Sequence, residues 1–141
     1  MKLKDIMTSD VTSINPNSSV KDAAQVMRSL NVGSVPVTDG NRPVGIITDR
    51  DITIRSVAQA GNINMPVHQV MTGDIVYGTP DMSVEEAAQI MASKQIRRLP
   101  VVENGRLVGI VSLGDLAVRE RSDIEAGKAL TSISVPSRPQ K

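Results

Sequence analysis

Two short stretches carry residue types that could do chemistry at matched spacing: Gly45-Ile46-Ile47-Thr48-Asp49-Arg50-Asp51 and Gly109-Ile110-Val111-Ser112-Leu113-Gly114-Asp115. Both read Gly-apolar-apolar-hydroxyl-x-x-Asp. A hydroxyl at the end of a buried strand can cap a following helix, and the first amides and positive dipole end of that helix then face the same space. A carboxylate three residues on can accept from two vicinal hydroxyls, as a ribose presents them. Anion donors beside a diol acceptor are what a nucleotide requires. The same spacing is also that of a capping box, so a purely structural role stays open.

Other signals are weaker. Gly40-x4-Gly45 imitates a phosphate loop, but Ile46 stands where the lysine belongs. His68 is the only histidine and there is no cysteine, so no thiolate metal site, disulfide or cysteine nucleophile can form. A Ser-His-Asp triad would have to use His68, and no nucleophile elbow is present. Asp49 and Asp51 read as helix-start acids, and no metal site is expected. Met27, Met71 and Met91 read as gap-fillers in a core with almost no aromatics.

The elements that must position these stretches occur twice. At an offset of 64 residues, positions 7–52 match 71–116 with 18 identities in 46 and no gap. Each copy runs from an extended segment (Val11–Ile14, Ile75–Tyr77) through a Pro turn into a helix opened by Ser19 with Asp22, or Ser83 with Glu86, at N-cap spacing. Val20, Ala23, Ala24, Met27 and their counterparts Val84, Ala87, Ala88, Met91 form one apolar stripe, whose small Ala pair permits close approach to a sheet. Two apolar runs follow, joined by tight turns at Asp39-Gly40-Asn41 and Asn104-Gly105. The second run is apolar on both faces and is expected to be buried. A second helix closes the unit, giving β-α-β-β-α. A copy of this size is near the lower limit for folding alone, so two copies are expected to cover each other, with a ligand in the cleft between them.

Composition narrows the classes. Tyr77 is the only aromatic residue, which argues against a stacking surface for single-stranded nucleic acid. The net charge is 16 − 15 = +1, with the signs interspersed, so no nucleic-acid stripe is present. Apolar runs of four or five residues fall far short of the roughly 20 that span a bilayer. The start, Met1-Lys2-Leu3-Lys4-Asp5, lacks a hydrophobic signal region. The expectation is a cytoplasmic protein with no nucleic-acid or membrane partner.

The ordered motifs (Met-Thr start, Ser-Val-x-x-Ala-Ala helix, Val/Leu-Pro-Val strand, Gly-apolar-apolar-Thr/Ser-x-x-Asp exit) resemble a tandem pair of cystathionine-β-synthase (CBS) domains, a stand-alone Bateman module. The resemblance covers about residues 5–125. It implies an α+β fold of two pseudo-symmetric βαββα units packed as an intramolecular pair. The copies span 1–60 and 70–128, with a linker at 61–69 and a flexible tail at 129–141. It also implies a non-enzymatic, energy-sensing regulator with no required cofactor. Its ligand would be AMP, ADP or ATP, with S-adenosylmethionine or a cyclic dinucleotide in the same class. A homodimer and an unidentified effector protein are the implied partners.

Carried over by position, Asp51 and Asp115 would hold ribose hydroxyls, and Thr48 and Ser112 ribose or phosphate. Val11, Val35 and Pro36 would line one adenine site, and Ile75, Leu99 and Pro100 the other. Arg97 and Arg98 would reach the phosphate at Asp51, joined by Arg50, whereas their counterparts Gly33 and Ser34 supply no cation. Each desolvated arginine–phosphate pair is worth roughly 1.5–3 kcal/mol, so the Thr48/Asp51 site is expected to fill first with phosphorylated ligand. The alternative is an interaction scaffold whose Ser/Thr-x-x-Asp motifs serve only as caps.

Overall fold

A computed structural model describes residues 1–117. The expected helix over about 115–128 falls mostly, and the expected tail wholly, outside the described residues. The elements are α1 (Val20–Leu30), β1 (Ser34–Asp39), β2 (Arg42–Thr48), α2 (Asp49–Asp51, continuing as a π-helical stretch Ile52–Val57), α3 (Val84–Lys94), β3 (Arg98–Glu103), β4 (Arg106–Ser112) and α4 (Leu113–Ala117).

They form two compact units. Among the described residues, one comprises Asp10–Val76 with Asn104–Leu107; the other comprises Met1–Ser9, Tyr77–Glu103 and 108–117. Each unit therefore takes its helix and hairpin from one copy and its Met-Thr segment from the other.

In the unit built on β1 and β2, α1 opens with a complete capping box. The Ser19 hydroxyl accepts from the Asp22 N–H at 3.0 Å, and the Asp22 carboxylate accepts from the Ser19 N–H at 3.3 Å. Val20, Ala23 and Met27 are buried on one face. Ala24, expected in that stripe, is exposed, whereas its counterpart Ala88 in α3 is buried. The buried face meets Val35, Val37 and Ile47 from the hairpin, together with Val67 and Val70. Those last two valines belong to the stretch that follows α2, and both are fully buried. A 3-10 turn, Val67–Gln69, holds them in place.

β1 and β2 pair antiparallel from Ser34↔Thr48 to Asp39↔Arg42, with a bulge after Val37. The Gly40-Asn41 loop has positive φ only at Gly40, as a II′ turn requires, whereas Asn104 and Gly105 both have positive φ, the I′ pattern. β2 is buried fully on one face only: Pro43, Gly45 and Ile47 are covered, while Val44 and Ile46 are half-buried. The expected first strand is reduced to a single parallel bridge, Ile14 with Val37. On the other edge Ile46 exchanges both backbone bonds with Thr72, at 2.9 and 3.0 Å.

The second unit repeats this plan. The Ser83 hydroxyl accepts from the Glu86 N–H at 3.1 Å, but the return half of the expected box does not form. Val84, Ala87, Ala88 and Met91 are all buried. Gly78 bridges Val101, and Thr8 bridges Ile110. A 3-10 turn at Leu3–Asp5 buries Leu3 completely, as Val67–Gln69 does in the other unit.

The glycine shared by the two exit motifs has a direct steric cause. A Cβ at Gly45 would lie 2.6 Å from Met71 Sδ and 2.8 Å from the Thr72 carbonyl oxygen. A Cβ at Gly109 would lie 2.5 Å from Met7 Sδ and 3.1 Å from the Thr8 carbonyl oxygen. The Met-Thr segment and the strand glycine are thus two halves of one contact, which is why both recur in each copy.

Candidate functional site

Each exit motif folds into a reciprocal cap. The Thr48 hydroxyl accepts from the Asp51 N–H at 3.0 Å, and Asp51 Oδ2 accepts from the Thr48 N–H at 3.0 Å. The Ser112 hydroxyl accepts from the Asp115 N–H at 3.2 Å, and Asp115 Oδ2 accepts from the Ser112 N–H at 2.8 Å. Asp51 is 9% exposed; Asp115 is half-buried. No other hydrogen bond reaches either carboxylate among the described residues. A carboxylate has room for about four hydrogen bonds, so Oδ1 of each keeps its accepting capacity.

The residue before each strand closes the same junction. The Gly33 carbonyl accepts from the Asp49 N–H at 2.9 Å, and the Arg97 carbonyl accepts from the Leu113 N–H at 2.8 Å. Asp49 lies close over Gly33, where a Cβ would stand 3.1 Å from Asp49 Oδ2. The structure therefore brings Gly33 together with Thr48 and Asp51 in one unit, and Arg97 with Ser112 and Asp115 in the other. Arg50 and Arg97 are exposed and Arg98 is half-buried; none makes an ion pair among the described residues.

The proposed adenine-lining positions divide. Val11 and Ile75 are half-buried, and Pro36 and Pro100 are buried in β1 and β3. Val35 is part of the first unit's hydrophobic cluster, and Leu99 is fully buried beside Gly78 in the second. Those two side chains serve the cores of their own units. Among the described residues there is no cluster of three or more metal-ligating side chains, and no helix is long and apolar enough to cross a membrane.

One residue was not legible from motif spacing. Arg55, one turn beyond Asp51, donates through one guanidinium nitrogen to the carbonyls of Met71, at 3.1 Å, and Val70, at 3.4 Å. The available signal was that the 64-residue offset, extended past the matched window, carries Arg55 onto Arg119.

The comparisons with known proteins agree with this geometry. The CBS domain family model matches residues 3–57 and again 67–120. The CBS domain-containing protein YhcV of Bacillus subtilis is 48% identical over 132 residues, covering 94% of both chains. The crystal structure of CBS domain protein PAE2072 from Pyrobaculum aerophilum, complexed with AMP, superposes with a TM-score of 0.80 at 25% identity, covering 90% of this chain and 98% of that one. The CBS domain pair of protein MJ0100, solved with 5′-methylthioadenosine and S-adenosyl-L-methionine, gives a TM-score of 0.74 at 29% identity and covers 91% of this chain and 98% of that one. With two family matches spanning most of its length and the hydroxyl–carboxylate cap formed in both copies, this chain belongs to the CBS domain family.

Proposed function

We propose that this protein is a non-enzymatic regulatory module that binds an adenosine-containing ligand, AMP, ADP or ATP foremost, and passes its occupancy to an effector protein. The observation that carries this reading is the pair of caps. Asp51 and Asp115 each spend one carboxylate oxygen on the fold and keep the other for an external donor pair such as a ribose diol. The AMP and S-adenosylmethionine complexes of the two structural relatives support the same ligand class. Thr48 and Ser112 stand beside the carboxylates as ribose or phosphate contacts. Arg97 and Arg98, free of ion pairs among the described residues, are the cations for the phosphate. Signalling requires that the ligand favour one conformation over another. A homodimer acting in the cytoplasm is the assembly this reading adopts.

A second reading has its own observation: both caps are complete without a ligand, so the fold does not need one. On that reading the protein is an interaction scaffold. Calorimetry with AMP, ATP, S-adenosylmethionine and cyclic di-AMP separates the two. A ligand at 100 times its Kd stabilises by about 2.7 kcal/mol, a clear rise in Tm. Absence of heat and of any Tm shift with all four overturns the sensor reading. Arg98→Ala is expected to weaken AMP and ATP while sparing a ligand without phosphate; equal affinities would remove Arg98 from the site.

A further inference from the structure

The Thr48–Asp51 turn is the start of a closed ring. From Asp51 the helix widens into the π-helical stretch Ile52–Val57, with the Ala58 N–H donating to the Thr53 carbonyl at 2.8 Å. Such widened turns are rare and concentrate at functional positions. This one carries Arg55, whose guanidinium grips the Met71 and Val70 carbonyls. The next residue, Thr72, exchanges two backbone bonds with Ile46, and Met71 Sδ presses on Gly45. Ile46 lies two residues before Thr48 on β2, which returns the ring to its start. Every member belongs to the unit Asp10–Val76.

We propose that Arg55 is a positioning residue that couples the Thr48–Asp51 turn to the Val70–Thr72 segment. The turn is fixed to β2 at one end by its cap. Arg55 fixes the other end to the segment that itself pairs with β2. A change at the turn thereby shifts the strength of the Ile46–Thr72 pairing. A guanidinium suits this task, since its planar donors can serve two carbonyls at once, whereas an ammonium on a flexible stem is a poorer bridge. In functional terms this deepens the adenylate reading above by naming where occupancy of Asp51 would be felt, but the coupling itself exists without ligand.

The test uses the ligand-free full chain and amide hydrogen exchange. Arg55→Ala is expected to speed exchange of the Thr72 and Ile46 amides about tenfold, the scale of one lost charge-assisted hydrogen bond, with amides of β1 as the gauge of global stability. Arg55→Lys should fall between. Thr48→Ala, which removes the cap from the Asp51 amide, is expected to speed Thr72 exchange severalfold when Arg55 is present and not at all when Arg55 is already alanine. Equal effects of Thr48→Ala in both backgrounds overturn the coupling, as does an Arg55→Ala effect that β1 shares equally. An adenylate arm is read separately. With AMP added, Thr72 is expected to gain protection in the wild type, and an Arg55→Ala variant that still binds AMP should lose that gain. A chain that binds no adenylate ends the sensor reading and leaves the ligand-free coupling standing on its own result.

Discussion

Asp51 caps its turn with one carboxylate oxygen. Oδ2 accepts from the Thr48 amide, which fixes the turn, and among the described residues no hydrogen bond reaches the remaining oxygen. On the adenylate proposal, Asp51→Ala is expected to cost adenylate affinity and, through the lost cap, stability. Thr48→Ala should cost about 0.5–2 kcal/mol by chemical denaturation, the usual range for a lost N-cap. The same residue types at the same spacing were readable in the sequence, and the cap they form was read there too. What spacing could not supply was that no other hydrogen bond reaches the carboxylates among the described residues. Charge at the surface follows a simpler rule. Asp81 accepts from Lys4 at 3.3 Å and Lys2 at 3.4 Å, and these bonds hold its carboxyl below its ordinary value of 3.8. A depressed carboxylate contributes stability above its unfolded pKa and loses it as pH falls through the folded value. Asp81→Asn should thus show a slightly smaller fall in Tm than wild type on acidification below pH ~4. The group is fully exposed, so high salt should erase the difference.

At the scale of elements, the strand glycines and the helix alanines decide packing. Gly45→Ala and Gly109→Ala should each destabilise by about 1–3 kcal/mol, the range for overpacking a filled site. The second variant has a remedy that the first lacks. The closest obstacles to a Cβ at Gly109 are Met7 side-chain atoms, whereas at Gly45 the Thr72 backbone oxygen stands nearly as close as the Met71 sulfur. Met7→Ala should accordingly rescue Gly109→Ala more fully than Met71→Ala rescues Gly45→Ala, as denaturant midpoints would report. The helices diverge in a similar way. Ala24→Lys, at an exposed position of α1, should fall within about 0.5 kcal/mol of wild type, while Ala88→Lys buries an unpaired charge and should cost several kcal/mol. Sequence periodicity placed both alanines in one stripe, because the two helices share the same residues. Exposure differs because the surroundings of the helices differ, and periodicity along one helix carries no information about its neighbours.

At the scale of the whole molecule, the compact units and the sequence copies are different partitions. Leu3 plugs the unit that contains α3, β3 and β4, and Val67 plugs the unit that contains α1, β1 and β2. Leu3→Ala should cost about 2–5 kcal/mol, the range for a buried leucine. Its effect on hydrogen exchange should concentrate in residues 77–112, far along the chain from the substitution. Val67→Ala should instead loosen residues 14–48. A substitution pattern that followed the copies, with Leu3→Ala loosening α1 and β1, would contradict the partition.

By itself the sequence determined where the helices start, the tight turns and the fact of a repeat, and it offered the hydroxyl–carboxylate caps as one reading of the exit motifs, though it also offered a return bond from Glu86 that does not form. Capping boxes and hairpin turns depend on groups three or four positions apart, so their residue types announce them. Which Met-Thr segment closes which sheet was left to the tertiary structure. Met7-Thr8 and Met71-Thr72 are the same dipeptide, and Gly45 and Gly109 stand in the same Val-Gly-Ile, so the residues alone favour neither pairing. Only the path of the chain separates them, setting Thr72 on β2 and Thr8 on β4, and only there does Arg55 meet the carbonyls it holds.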